Sequence, residues 1–256
     1  MLEHARRLVS HTARATRDAI GAEPLLFVSA VAALVIVSFC AVVIAKLLDD
    51  VMGGDDTARL DPSILDWFVD HRTDLLTTGA KWITHLGDPV VVAAVVAGVV
   101  IALATRRRTR LALFVLASSL GAAVATTAAK YAVDRVRPPD ALWLAPAYGP
   151  SFPSGHATQS VACYLAIAVV SVTMLRPTAA RVAVVAAAGA VSLLVGMSRV
   201  YLGVHWPSDV LCGWAVATLW LVSLLFVGWL YPRMSRLWSE RPDEIATGAA
   251  PPCAEL

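Results

Sequence analysis

Six ionisable residues in three short clusters have the types and spacing to act on a phosphoryl group. Six residues separate Lys130 from Arg137, with Pro138 immediately after. His156 closes the run Pro153-Ser154-Gly155-His156, and Ser198-Arg199 is followed by His205 and Asp209. Lys130, Arg137 and Arg199 are cations suited to the equatorial phosphoryl oxygens, which arginine can bind in bidentate fashion. Ser154 and Gly155 precede an apolar run. If that run is a helix, their backbone N–H groups face an anion at its positive end, and Gly155 permits close backbone approach. Two histidines and one carboxylate supply a nucleophile, an acid and an orienting partner.

Pro207 helps to divide these roles. Proline favours the first turn of a helix, which puts His205 just outside that helix and Asp209 inside its first turn. A carboxylate four residues on can accept a hydrogen bond from His205 Nδ1–H, leaving Nε2 as the nucleophilic nitrogen. His156 has no such neighbour in sequence and stands beside the phosphate-binding turn. It is the better general acid for a leaving oxygen.

The elements that must position these groups are apolar. The 256-residue chain is 58% hydrophobic and 16% charged, with a mean hydropathy of +0.68. Soluble domains run to about 45–50% apolar and about 25% charged residues, so the excess needs a bilayer as solvent. Six apolar runs are expected to span it, at about 24–47, 89–105, 111–130, 155–175, 180–198 and 207–231. Residues 1–23 read as a polar leading segment, and the first run exceeds the apolar core of a cleaved signal, so an uncleaved span is expected. Asp61-Pro62 signals the start of a short interfacial helix carrying Ile64, Leu65 and Phe68 at helical spacing. Residues 232–256 form a polar tail, and no repeat or second domain is evident. The expected fold is all-α: a polytopic membrane helical bundle with six transmembrane helices, occupying 24–231.

Charge sets an orientation. Arg6 to Arg17, Arg106 to Arg110, Arg176 and Arg181, and Arg233 to Arg241 fall on one side, and the acid-rich 48–88 segment falls on the other. The positive-inside tendency puts both termini in the cytoplasm. The segments 48–88, 131–153 and 199–206 then lie together on the external or periplasmic side of a cell membrane, and the last two hold or closely flank all six ionisable residues.

The three clusters, Lys-x6-Arg-Pro, Pro-Ser-Gly-His and Ser-Arg-x5-His-x3-Asp, closely resemble the motifs of the type 2 phosphatidic acid phosphatase superfamily, also called lipid phosphate phosphatases. Every element stands at full spacing, and the likeness covers roughly residues 60–231. The resemblance implies a lipid-phosphatase bundle in which His205 attacks phosphorus, Asp209 aligns it, and His156 protonates the leaving group and then activates water. Lys130, Arg137, Ser154, Gly155 and Arg199 would cradle the phosphoryl oxygens, with no metal and no other cofactor. The implied substrate is a lipid phosphomonoester or diphosphate from the outer leaflet: phosphatidic acid, phosphatidylglycerol phosphate or a polyprenyl diphosphate, with a lean towards the isoprenoid. A bacterial member is the nearest match in length. Membrane lipids are the expected partners, nucleic acid is not, and oligomeric state is not legible.

Other readings compete. A phosphotransferase would carry the same motifs, with a sugar or lipid hydroxyl replacing water. Vanadium-dependent haloperoxidases share the pocket but resemble soluble proteins. A transporter or channel would place polar residues at the bilayer midplane instead of at one face. Asp134 and Arg135 read as a local ion pair or solvated loop, and Lys81 and His85 as interfacial packing. Ser198 reads equally well as helix-end packing, and Trp143, Tyr148, Tyr201 and Trp206 as an aromatic belt. Cys40, Cys163, Cys212 and Cys253 have neither metal nor disulfide spacing, and His4, His11 and His71 have no partners in sequence.

Overall fold

Long apolar runs, most of them opened by Asp, Thr or Pro, dictate the architecture. A computed structural model describes residues 2–53 and 56–240, with side chains over 28–53 and 59–228. Eight helices follow in order: α1 Leu2–Gly53, α2 Asp56–Asp70, α3 Asp74–Thr84, α4 Pro89–Thr105, α5 Thr109–Val133, α6 Gly155–Met174, α7 Thr178–Tyr201 and α8 Pro207–Glu240. No strand occurs among the described residues. Five helices are long and apolar enough to cross a membrane, and α3 with α4 forms a sixth such unit bent by 50°. The chain is a polytopic membrane helical bundle.

The bend has a local cause. Asp88 leaves helical geometry and caps α4, its side chain accepting from Val90 N at 2.8 Å, and Pro89 takes the first helical position. By itself α4 has 17 residues, about 25 Å of helix against about 30 Å of hydrocarbon. The preceding α3 packs on α7.

The fourth span, α6, is the most buried and touches α5, α7 and α8. Val161–Leu165 within it form a wide π-helical segment, bonded across to α5 where Ser118 Oγ donates to Ala162 O at 2.7 Å. In contrast, α1 touches the bundle mainly along α8 and leaves Leu34, Phe39 and Val42 exposed to lipid.

Three boundaries differ from those expected. The backbone is helical from Leu2 through Pro24, α2 begins at Asp56 with Pro62 inside it, and α8 runs through Pro232 to Glu240. A proline forgoes one backbone bond, but a helix already held on both sides by its own ladder accommodates that loss. Residues 241–256, with Cys253, lie outside the described residues, as do the side chains of His4 and His11.

The loops at one end of the bundle are stitched together. Leu144 N donates to Leu202 O and Ser151 N to Arg135 O, at 2.9 and 2.8 Å. Arg72, at the end of α2, donates to Tyr201 O and Leu142 O. Gly203 is required at their crossing: its φ is +76°, and a Cβ there would lie 2.3 Å from Leu142 O.

Candidate active site

His205 is held between a carboxylate and a guanidinium. Its Nδ1 lies 3.2 Å from Asp209 Oδ2, and its Nε2 lies 3.1 Å from Arg137 Nη1. Arg137 can only donate, so Nε2 is the acceptor and Nδ1 carries the proton given to Asp209. This is the tautomer a nucleophilic Nε2 requires. The ring is 2% exposed, and burial, only partly offset by Asp209, pushes its pKa down to about 3. His205 is therefore neutral at physiological pH.

Asp209 is fully buried and satisfied on every side. Its Oδ2 also accepts from Trp206 N at 2.9 Å and from Ser151 Oγ, and Oδ1 accepts from Arg135 Nη1 at 2.6 Å. Arg135 is the correction here. It was expected to pair locally with Asp134 or to face solvent, yet its fork bridges two buried carboxylates, Asp209 and Asp61 (Nη2 to Oδ2, 2.7 Å). Asp61 in turn accepts from Ser208 N at 2.9 Å and from Ser208 Oγ. Asp134 instead ends α5 in a left-handed conformation, with φ 47°. None of Asp61, Ser151 and Ser208 was legible as a site residue, because the bonds joining them to Asp209 and Arg135 span 58 to 74 residues and the one between Asp61 and Ser208 spans 147.

The cations surround the opposite side of the ring. Arg137 spends its donors on the loop above: Nε on Gly149 O, Nη1 on Val204 O, and Nη2 on Tyr148 O and Pro150 O. Lys130 Nζ donates to Pro150 O and more distantly to Ser151 O. Arg199 is buried, donates from Nη1 to Thr84 Oγ1 at 2.8 Å, and leaves its Nε without a partner among the described residues.

Lys130, Arg137, Gly155, His156, Arg199 and His205 all line one cavity of about 1030 Å³. Ser154 does not. Its N–H, expected to face an anion, donates to Asp209 O at 2.9 Å, and its buried hydroxyl has no partner among the described residues. Ser154 thus ties α6 to α8 behind the site, and the free end of α6 facing the cavity begins at Gly155. Lys81 and His85 stand at the cavity rim. Of the expected aromatic belt, Tyr148 is exposed, whereas Trp206 Nε1 donates to Val136 O at 3.0 Å and its ring lies under Arg135. Ser198 bonds back to Val195 O, as a helix-end residue does.

From the charged end the cavity runs down between α4 and α5, past Val92, Val96 and Val100 on one side and Leu120 and Leu116 on the other. Lys130 and Leu116 are fourteen residues apart on α5, about 21 Å of helix. Ile101 and Leu120 at the lower end are themselves largely exposed, so the cavity opens sideways towards the bilayer.

Residues 111–234 match the PAP2 superfamily, so that stretch carries a PAP2 superfamily domain, and the chain is similar to bacterial membrane proteins that share it. Phosphatidylglycerophosphatase B of Bacillus subtilis (strain 168) is 41% identical over 88 residues, which are 34% of this chain and 43% of that relative's length. Among solved structures, a transmembrane PAP2-type phosphatidylglycerolphosphate phosphatase from Bacillus subtilis superposes with a TM-score of 0.68 at 27% identity. That match covers 77% of this chain and 95% of the other. Aquifex aeolicus LpxE shares the fold, with a TM-score of 0.54 at 20% identity over 65% of this chain and 94% of its own.

Proposed function

We propose that this chain is a membrane-embedded phosphatase that hydrolyses a lipid phosphomonoester or diphosphate through a metal-independent phosphohistidine on His205. The observation that carries the reading is the placement of His205 Nε2. It is neutral, oriented through Nδ1 by Asp209, and it lies where three cations meet the head of an apolar cleft. The cleft suits acyl or prenyl chains entering from the leaflet, and the cations suit the phosphoryl group. Relatives named for phosphatidylglycerol phosphate favour a glycerophospholipid over the isoprenoid.

The chemistry follows from the atoms present. The incoming phosphoryl oxygens take over the Arg137 donor that now caps Nε2. Nε2 then attacks phosphorus, the bond to the lipid oxygen breaks, and His156 gives that oxygen its proton. The imidazolium formed on His205 keeps Nδ1–H on Asp209, whose charge stabilises it. Arg137, Arg199 and Lys130 hold the equatorial charge. In the second half, His156 takes a proton from water, the oxygen attacks phosphorus, and the P–N bond breaks to release phosphate and neutral His205. By the arginine distribution, this takes place at the external face with both termini in the cytoplasm.

The test is phosphate release by purified protein in detergent with EDTA, from phosphatidic acid, phosphatidylglycerol phosphate and a polyprenyl diphosphate. The wild type is expected to release phosphate from at least one, and His205→Ala from none. Folded wild-type protein inactive on all three would overturn the hydrolase reading. An active His205→Ala would overturn the nucleophile.

A further inference from the structure

Two polar side chains stand in the otherwise apolar part of the cleft. Ser119 on α5 and Gln159 on α6 both line it. Ser119 is only 6% exposed, and its hydroxyl has no hydrogen-bond partner among the described residues. That is unusual within this chain: Thr126, Ser171, Ser192 and Ser223 each bond back to the carbonyl four residues earlier. Gln159 makes one hydrogen bond among the described residues, from Nε2 to Ser119 O at 3.3 Å, so a second amide N–H remains for a ligand. A donor with no acceptor in hydrocarbon is costly, since no water relieves it there.

Their depth is informative. Gly155, at the phosphate end, packs beside Thr126. Gln159 lies four residues further along α6 and Ser119 seven residues back along α5, roughly 6 and 10 Å below that level. In a glycerophospholipid, five covalent bonds separate phosphorus from the first ester carbonyl carbon, roughly 6 Å. An isoprenoid phosphate offers only carbon at that depth. The bond from Ser118 Oγ to Ala162 O fixes the register of α5 against α6 and keeps the two donors side by side.

We infer that Ser119 and Gln159 form a subsite that donates to an ester carbonyl of the substrate, so that the cleft reads glycerol-ester lipid phosphates. The inference rests on the lipid-phosphatase reading above and narrows its substrate class.

The experiment compares kcat/KM of the purified full chain, in EDTA-containing detergent micelles, on three phosphomonoesters: diacyl phosphatidic acid, its dialkyl ether counterpart and a polyprenyl phosphate. One hydrogen bond is worth about tenfold. Wild type is therefore expected to prefer the ester over the ether by about that factor. In Gln159→Leu combined with Ser119→Ala, the ester-to-ether ratio is expected to fall to about one, chiefly through KM. Turnover of the ether by the double variant shows that it is folded. If wild type handles ester and ether equally, or the double variant keeps the wild-type ratio, the subsite is overturned while the phosphatase reading stands. If wild type acts only on a polyprenyl diphosphate the subsite alone falls, and if it releases phosphate neither from these three nor from phosphatidylglycerol phosphate or a polyprenyl diphosphate, both fall.

Discussion

Arg135 joins two carboxylates that would otherwise repel each other in a dry environment, and Asp209 depends on it to keep Oδ2 turned towards His205. A lysine at 135 is a point charge and cannot span both acids. Arg135→Lys is expected to lower phosphate release per site by about tenfold or more, with KM changed far less, because neither Asp61 nor Asp209 borders the cleft. Counting sites by orthovanadate binding separates this effect from loss of folded protein. Asp61→Asn removes one charge of the buried trio, which costs about 3–5 kcal/mol in comparable pairs, and is expected to show first as a lower unfolding midpoint. His205 adds a pH dependence of its own. With its folded pKa near 3 and its unfolded value near 6.5, the unfolded chain binds a proton that the native state refuses. Stability therefore falls as pH drops below about 6.5, by up to about 1.4 kcal/mol per unit from this group, until about pH 3. Unfolding midpoints of His205→Asn measured from pH 7 to 4 should decline less steeply than those of wild type.

At the scale of elements, α8 is keyed into its neighbours by two tryptophans used in the same way. Trp220 Nε1 donates to Ala117 O at 3.1 Å and packs on Gly121, while Trp214 Nε1 donates to Ser192 O at 3.2 Å and packs on Gly196. In each case the glycine lies four residues after the accepting carbonyl, one turn further along the same helix. A Cβ on Gly121 or Gly196 would fall 2.2 or 2.3 Å from the indole. Alanine at either position must displace the ring, at about 1–3 kcal/mol for overpacking. Gly196→Ala is expected to disturb activity more than Gly121→Ala, since α7 carries Arg199 one turn beyond. Thermal midpoints in detergent and phosphate release from the same preparations would check both.

At the scale of the whole molecule, every loop that forms the site leaves the same end of the bundle, and the arginine-rich turn 106–110 leaves the other. Orientation is then one binary choice. In intact cells, a membrane-impermeant maleimide is expected to label Tyr148→Cys, which sits on the exposed loop tip, and not Arg107→Cys. Cys40, Cys163 and Cys212 are buried and give little background, and Cys253 can be replaced by serine. The reverse pattern would put the site in the cytoplasm.

Membrane class, the number of apolar spans and the convergence of Lys130, Arg137, His156, Arg199, His205 and Asp209 were legible in the chain alone. Hydropathy sets which segments enter lipid, and span parity then puts alternate loops on one side. The His205–Asp209 contact was legible too, because four residues at the mouth of a helix are a local relationship. The tertiary structure alone decided what stands behind that pair. Asp61, Arg135, Ser151 and Ser208 meet only where α2, the two ends of the α5–α6 loop and α8 cross, and no spacing along the chain encodes such a crossing. It also decided that Ser154 N–H faces Asp209 instead of the cleft, and that Ser119 and Gln159 look into it. Those outcomes depend on how helices rotate about their axes when they pack, and small residues such as Gly121, Gly196 and Gly213 govern that through close contact.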